Sequence, residues 1–171
     1  MDRNTRDLSA DTLARLSRIR HVLSEYEGFS TPEDRRESDE MLRRRLVSLF
    51  MELRRLLETV STYASKHGHE PVRFRAGRLA DSAEDLADRV RLAPYAFSLC
   101  FTGDILPVEF QEILITHDAR LVEIDSRFRD LMDCTLCENS DLDAVLATVQ
   151  QFETDLDEEL ERRLAVIMEY R

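Results

Sequence analysis

Three stretches of the chain repeat apolar residues at alternating four- and three-residue steps, and this repeat constrains the fold more than any other feature. The first runs Leu42, Leu46, Leu49, Leu53, Leu56, Val60, Tyr63. The second runs Val72, Ala76, Leu79, Ala83, Leu86, Val90, Ala93, and the third Phe110, Leu114, His117, Leu121, Ile124, Phe128, Leu131. A mean step of about 3.5 residues puts each series on one stripe of a helix, and such a stripe is sheltered by packing against other helices. Phe50, Leu57 and Ala64 widen the first stripe by a row, enough for a globular bundle.

Local signals divide the chain. A first helix is expected over 9–27, capped by Ser9 or Asp11, with Leu13, Leu16, Ile19, Val22, Leu23 and Tyr26 inward and Gly28 as its stop. Thr31-Pro32-Glu33-Asp34 combines a cap, a first-turn proline and two acids at the positive end of the helix dipole. The second helix then runs to about His67, before Gly68. Pro71 opens a third, rich in alanine, which Pro94 interrupts as a kink or as the start of a short helix ending near Phe101. A fourth spans Pro107 to about Cys134. Ser140 and Asp143 have the spacing of a capping box for a fifth, carrying Leu142, Val145, Leu146, Val149, Phe152, Leu156, Leu160, Leu164 and Ile167, with an acidic outer side from Asp155 to Glu161.

Short connections make consecutive helices antiparallel neighbours. The expected fold is therefore all-α: an antiparallel up-and-down bundle of four long helices plus a shorter N-terminal helix. It forms one domain over 1–171, with 1–8 flexible. Four glycines and four prolines are too few for an all-β fold.

Charge excludes some partners and divides the chain. The net charge of −11 opposes a duplex, and no aromatics interleave with the arginines, so nucleic acid is not an expected partner. Residues 35–78 carry 11 basic and 6 acidic side chains, net +5, whereas 79–171 carry 8 basic and 22 acidic, net −14. The plainest reading is that the second helix and the start of the third face acidic helices of the same fold. A sharper one is an anion site built on Arg43, Arg44 and Arg73. The start is acidic and polar, unlike a secretory signal, and the longest uncharged apolar patch, Tyr95 to Phe101, is too short for a membrane span. Three cysteines in no disulfide pattern fit a cytoplasmic protein with reduced thiols.

Chemistry-bearing motifs are few. Cys134 and Cys137, two residues apart at the tip between the fourth and fifth helices, have the spacing to grip one zinc ion. Two thiolates leave zinc half-ligated, so the remainder would come from elsewhere in the chain, His117 included, or from a second copy in a homodimer. In outline such a tip resembles zinc-hook hairpins, with much shorter arms and without their proline. Ordinary loop cysteines are the plainer reading. A redox role is opposed by the helix C-terminus and by Asp133 and Glu138, which raise a thiol pKa.

His117 occupies a stripe position, where a core histidine bonded to a neighbouring helix is the simplest reading. No Glu-x-x-His motif is present, which removes the carboxylate di-iron bundles. The acids Glu109, Glu112, Asp130 and Asp133 superficially match all-α nucleotide pyrophosphatases, but both pairs fall on one expected helix. No phosphate loop, dinucleotide fingerprint or nucleophile elbow occurs. The sequence thus reads as a non-enzymatic interaction or regulatory protein that associates with itself or a protein partner, using first the wide face of the second helix. A metal- or anion-binding bundle is the alternative.

Overall fold

A computed structural model describes residues 8–92, 95, 98–135 and 141–170, with the side chains of 132–135 outside the description. Among the described residues the chain is all-α. Its six helices are α1 (Ala10–Val22), α2 (Pro32–Lys66), α3 (Glu70–Leu92), α4 (Leu99–Thr102), α5 (Val108–Thr135) and α6 (Leu142–Glu169). No helix of the described residues is long and apolar enough to cross a membrane.

The helix boundaries follow their caps. Thr31 and Asp34 form a reciprocal box: the Asp34 N–H donates to Thr31 Oγ1 at 3.1 Å, and the Thr31 N–H donates to Asp34 Oδ2 at 3.0 Å. Ser9 caps α1 by accepting from the Thr12 N–H. At α6 the cap is Asp141, whose Oδ1 accepts from the N–H groups of Asp143 and Ala144. Ser140 of the expected box lies outside the described residues, as does Pro94.

The first helix is shorter than its apolar spacing suggests. It stops at Val22 because the following turn finds other partners. Arg20 Nε donates to the Tyr26 carbonyl at 2.7 Å, and Ser38 Oγ accepts from the N–H groups of Glu27 and Gly28. Gly28, at φ 90°, makes the left-handed turn that sends the chain into α2.

The chain divides into two compact units. Unit 1 comprises Met1–Arg44, Ala93–Glu123 and Glu158–Arg171; unit 2 comprises Arg45–Leu92 and Ile124–Asp157. Unit 1 buries Leu16, Ile19, Tyr26, Phe29, Leu42, Phe101, Leu114 and Ile167. Leu8, within the stretch expected to be flexible, is buried too. Leu13 is exposed, and Thr12 takes an inward position on α1 instead.

Unit 2 uses the stripes as read. Val72, Ala76, Leu79, Ala83, Leu86 and Val90 of α3 are all buried, and Phe128 packs on Phe152 with ring centroids 4.9 Å apart. Phe50, Leu57 and Ala64 are fully buried, so the wide face of α2 is spent inside the fold and is not open to a partner. Tyr63, at the end of the stripe, is exposed and stacks on His67. The charge split resolves in this unit into pairs between helices: Arg45 with Asp125 and Arg54 with Glu84.

Candidate functional site

The polar residues that matter in unit 1 occupy positions that the apolar repeat would give to leucine. Run two steps upstream of Leu42, the four-three repeat of α2 lands on Asp39 and Arg35, and both are buried. On α6 the same rhythm passes through Leu156 and Leu160 to Arg163, which is buried, while Leu164 is only half-buried. On α5 a second row beside the stripe carries Gln111, Ile115, Asp118, Val122 and Asp125, all buried. Glu159, expected on the acidic outer side of the last helix, is buried as well. The apolar repeat thus continues into unit 1, with charged side chains at the positions it would give to leucine.

Arg163 is the hub. Its Nε donates to Asp118 Oδ1 at 2.6 Å, and its Nη1 donates to Asp39 Oδ1 at 2.9 Å and to the Tyr95 hydroxyl at 3.3 Å. The Tyr26 hydroxyl donates to Asp118 Oδ2 at 2.5 Å, Tyr95 donates to Asp39 Oδ1 at 3.2 Å, and Arg43 Nε donates to Asp39 Oδ2 at 2.8 Å. Three helices, α2, α5 and α6, and the connecting segments of Tyr26 and Tyr95 therefore meet in one hydrogen-bonded ionic group.

Burial pushes the Asp118 carboxyl above its ordinary value, and the Arg163 charge holds it back. Burial likewise raises the Tyr26 phenol well above the ordinary range and Tyr95 to about 12, so both remain protonated donors near neutrality. A second pairing in this unit links His117 Nδ1 to Glu159 Oε1 at 2.6 Å, with Arg120 and Arg162 also reaching Glu159.

His117 is therefore a buried histidine bonded to α6. It lies seventeen positions before Cys134 on α5, and the two belong to different units. The Cys134 side chain and Cys137 lie outside the described residues. Among the described residues no group of three or more His, Cys, Asp and Glu is placed to hold a metal.

Each arginine of the anion reading carries a carboxylate on its own helix: Arg43 has Asp39, Arg44 has Glu40 and Arg73 has Glu70. Arg43 and Arg44 belong to unit 1 and Arg73 to unit 2. Glu109, Glu112, Asp130 and Asp133 all lie on the single helix α5, which is not the facing-helix arrangement of the pyrophosphatases.

No family model matches the chain, and none of the curated proteins or solved structures compared with it is significantly similar.

Proposed function

We propose that the protein is a non-enzymatic helical interaction or regulatory protein of the cytoplasm that associates with itself or with a protein partner. In this reading α2, α3, α5 and α6 run as an antiparallel up-and-down bundle with α1 as the shorter N-terminal helix. The zinc alternative rests on the spacing of Cys134 and Cys137 alone.

One observation carries the interaction reading. Ile105 is 80% exposed, on a segment whose backbone accepts a hydrogen bond at its carbonyl from the Tyr170 hydroxyl at 3.0 Å. The Tyr170 ring in turn packs against Phe110 with centroids 4.8 Å apart. Leu99 and Met168 of the same unit are 53% and 56% exposed. An isoleucine this exposed leaves about 1.5–3 kcal/mol of burial unused, which a covering surface would recover.

The test is sedimentation of the wild type and of Ile105→Asp over a wide concentration range, with co-purification under native conditions. The reading expects an assembly, with itself or a defined protein, that Ile105→Asp weakens. A wild-type monomer at high concentration with no stoichiometric partner refutes it.

A further inference from the structure

Within unit 2, α3 meets α6 through polar side chains at a seven-residue interval: Arg75, Ser82 and Arg89. Seven residues make nearly two helical turns, so the three share one face of α3. Arg75 donates to Gln150 Oε1 at 3.1 Å and lies 3.9 Å from Asp143, and Arg89 pairs with Asp157 at 2.7 Å. Between these pairs α6 presents Glu153, and α3 meets it with Ser82 in place of a third arginine.

Glu153 is only 6% exposed, and its Oε1 has no hydrogen-bond partner. Ser82 supplies a hydrogen bond to the carboxyl. A carboxylate cut off from water needs a cation or several donors, whereas a neutral carboxyl needs far less. The charged groups of the neighbouring helices are engaged elsewhere or exposed. On α3, Arg75 and Arg89 hold their α6 partners, Glu84 holds Arg54 of α2, Asp88 holds Arg91, and Arg78, Asp81 and Asp85 are exposed. On α5, Asp125 holds Arg45 of α2 and Arg129, and Arg127 reaches Asp155 of α6. Burial accordingly lifts the Glu153 carboxyl to about 7, opposed by Ser82 and by no charged group.

We infer that the α3–α6 contact of unit 2 is a pH-sensitive latch, closed while Glu153 keeps its proton and loosened when the proton is lost. The carboxylate favours any opening that brings water to residue 153. Parting α6 from α3 around Ser82 is the least costly such opening. The flanking pairs resist it weakly, because Arg75 and Arg89 are 30% and 52% exposed. The sign follows from the raised folded-state value. Stabilisation by the protonated carboxyl is complete below the unfolded value of about 4.3 and is lost as pH rises through the folded one. The latch does not depend on what the protein binds.

Hydrogen exchange of the full chain at about pH 5 and pH 9, expressed as protection relative to an unstructured chain, reads the opening of each unit separately. Over that interval the opening constant of α3, and of α6 as far as Asp157, should rise on the order of fiftyfold, with unit 1 changing much less. Glu153→Gln keeps the size and an acceptor but cannot ionise, and should flatten the response. If that variant does not fold, Glu153→Met serves the same purpose. Ser82→Arg completes the series of arginines on α3 and should likewise hold unit 2 closed at the higher pH. The inference is overturned if unit 2 keeps its protection at the higher pH, if both units lose protection equally, or if the Glu153 variants or Ser82→Arg retain the wild-type fall.

Discussion

Arg163→Met tests whether the buried ionic group is balanced as its geometry implies. The substitution keeps an unbranched stem, shorter than arginine by the end of the guanidinium, and removes three hydrogen bonds, two of them to buried carboxylates at 2.6 and 2.9 Å. Asp118, fully buried, would keep only the Tyr26 hydroxyl, and Asp39 would keep Arg43 and Tyr95. Removing one partner of a buried pair strands the other charge and costs about 3–5 kcal/mol. For a chain of this size that is a fall of about 6–20 °C in melting temperature.

The loss must depend on pH, with a definite sign. Burial already raises the Asp118 pKa, and Arg163 is what opposes that rise. Without Arg163 the folded-state pKa climbs further above the unfolded value of about 3.9, so the folded variant binds protons more tightly than the unfolded chain. The deficit is therefore full at about pH 7 and shrinks as pH falls through the raised pKa. Adding Asp118→Asn, which removes the stranded charge but leaves an acceptor for Tyr26, should restore about 1–3 kcal/mol. Urea unfolding followed by circular dichroism measures all four members of the cycle. A loss under about 1 kcal/mol at neutral pH, or one that does not change on acidification, refutes this balance of charges.

Two further outcomes follow from single buried groups. Glu153 of unit 2 has an unpartnered Oε1, and burial lifts its carboxyl to about 7 against a hydrogen bond from Ser82. Its contribution to stability is complete below the unfolded value of about 4.3 and is lost as pH rises through the folded one. Glu153→Gln should thus stabilise the protein by about 1–2 kcal/mol at about pH 8 and change little at about pH 4, read from melting curves across pH. Thr31→Ala removes the side-chain half of the α2 cap, so urea unfolding should show a loss of about 1 kcal/mol, most of it restored by serine.

The helices were legible because their signals are local. The stripe of α3 is buried at every described position, and the Thr31 cap and the Lys66 end of α2 stand where the residues put them, whereas Gly28, read as the stop of the first helix, lies six residues beyond its end. The end of α1 was not legible, because Ser38, far along the chain, satisfies the backbone that the helix would otherwise have used. The ionic group was hidden for a related reason. Asp39, Asp118 and Arg163 read as surface charges when stripes are traced by apolar residues alone. Each carries its partner on another element, and only continuing the four-three rhythm through polar residues marks them as inward.

Polar residues at these positions answer a weakness of the apolar repeat itself. A seven-residue rhythm is nearly degenerate: sliding α6 by one repeat would bring Leu156 or Tyr170 to the place of Arg163 and would bury a similar apolar surface. Leucines alone distinguish such registers poorly. With Arg163 in place, the slid arrangement leaves Asp118 and Asp39 without their shared cation and sets Arg163 itself against apolar neighbours, so the penalty falls on the wrong register. The ionic group need not stabilise the fold in sum, because its own desolvation cancels much of its attraction. Its effect is on the difference between arrangements. That difference is set in unit 1, where Tyr26, Asp39, Tyr95, Asp118 and Arg163 come from separate parts of the chain and share one set of hydrogen bonds.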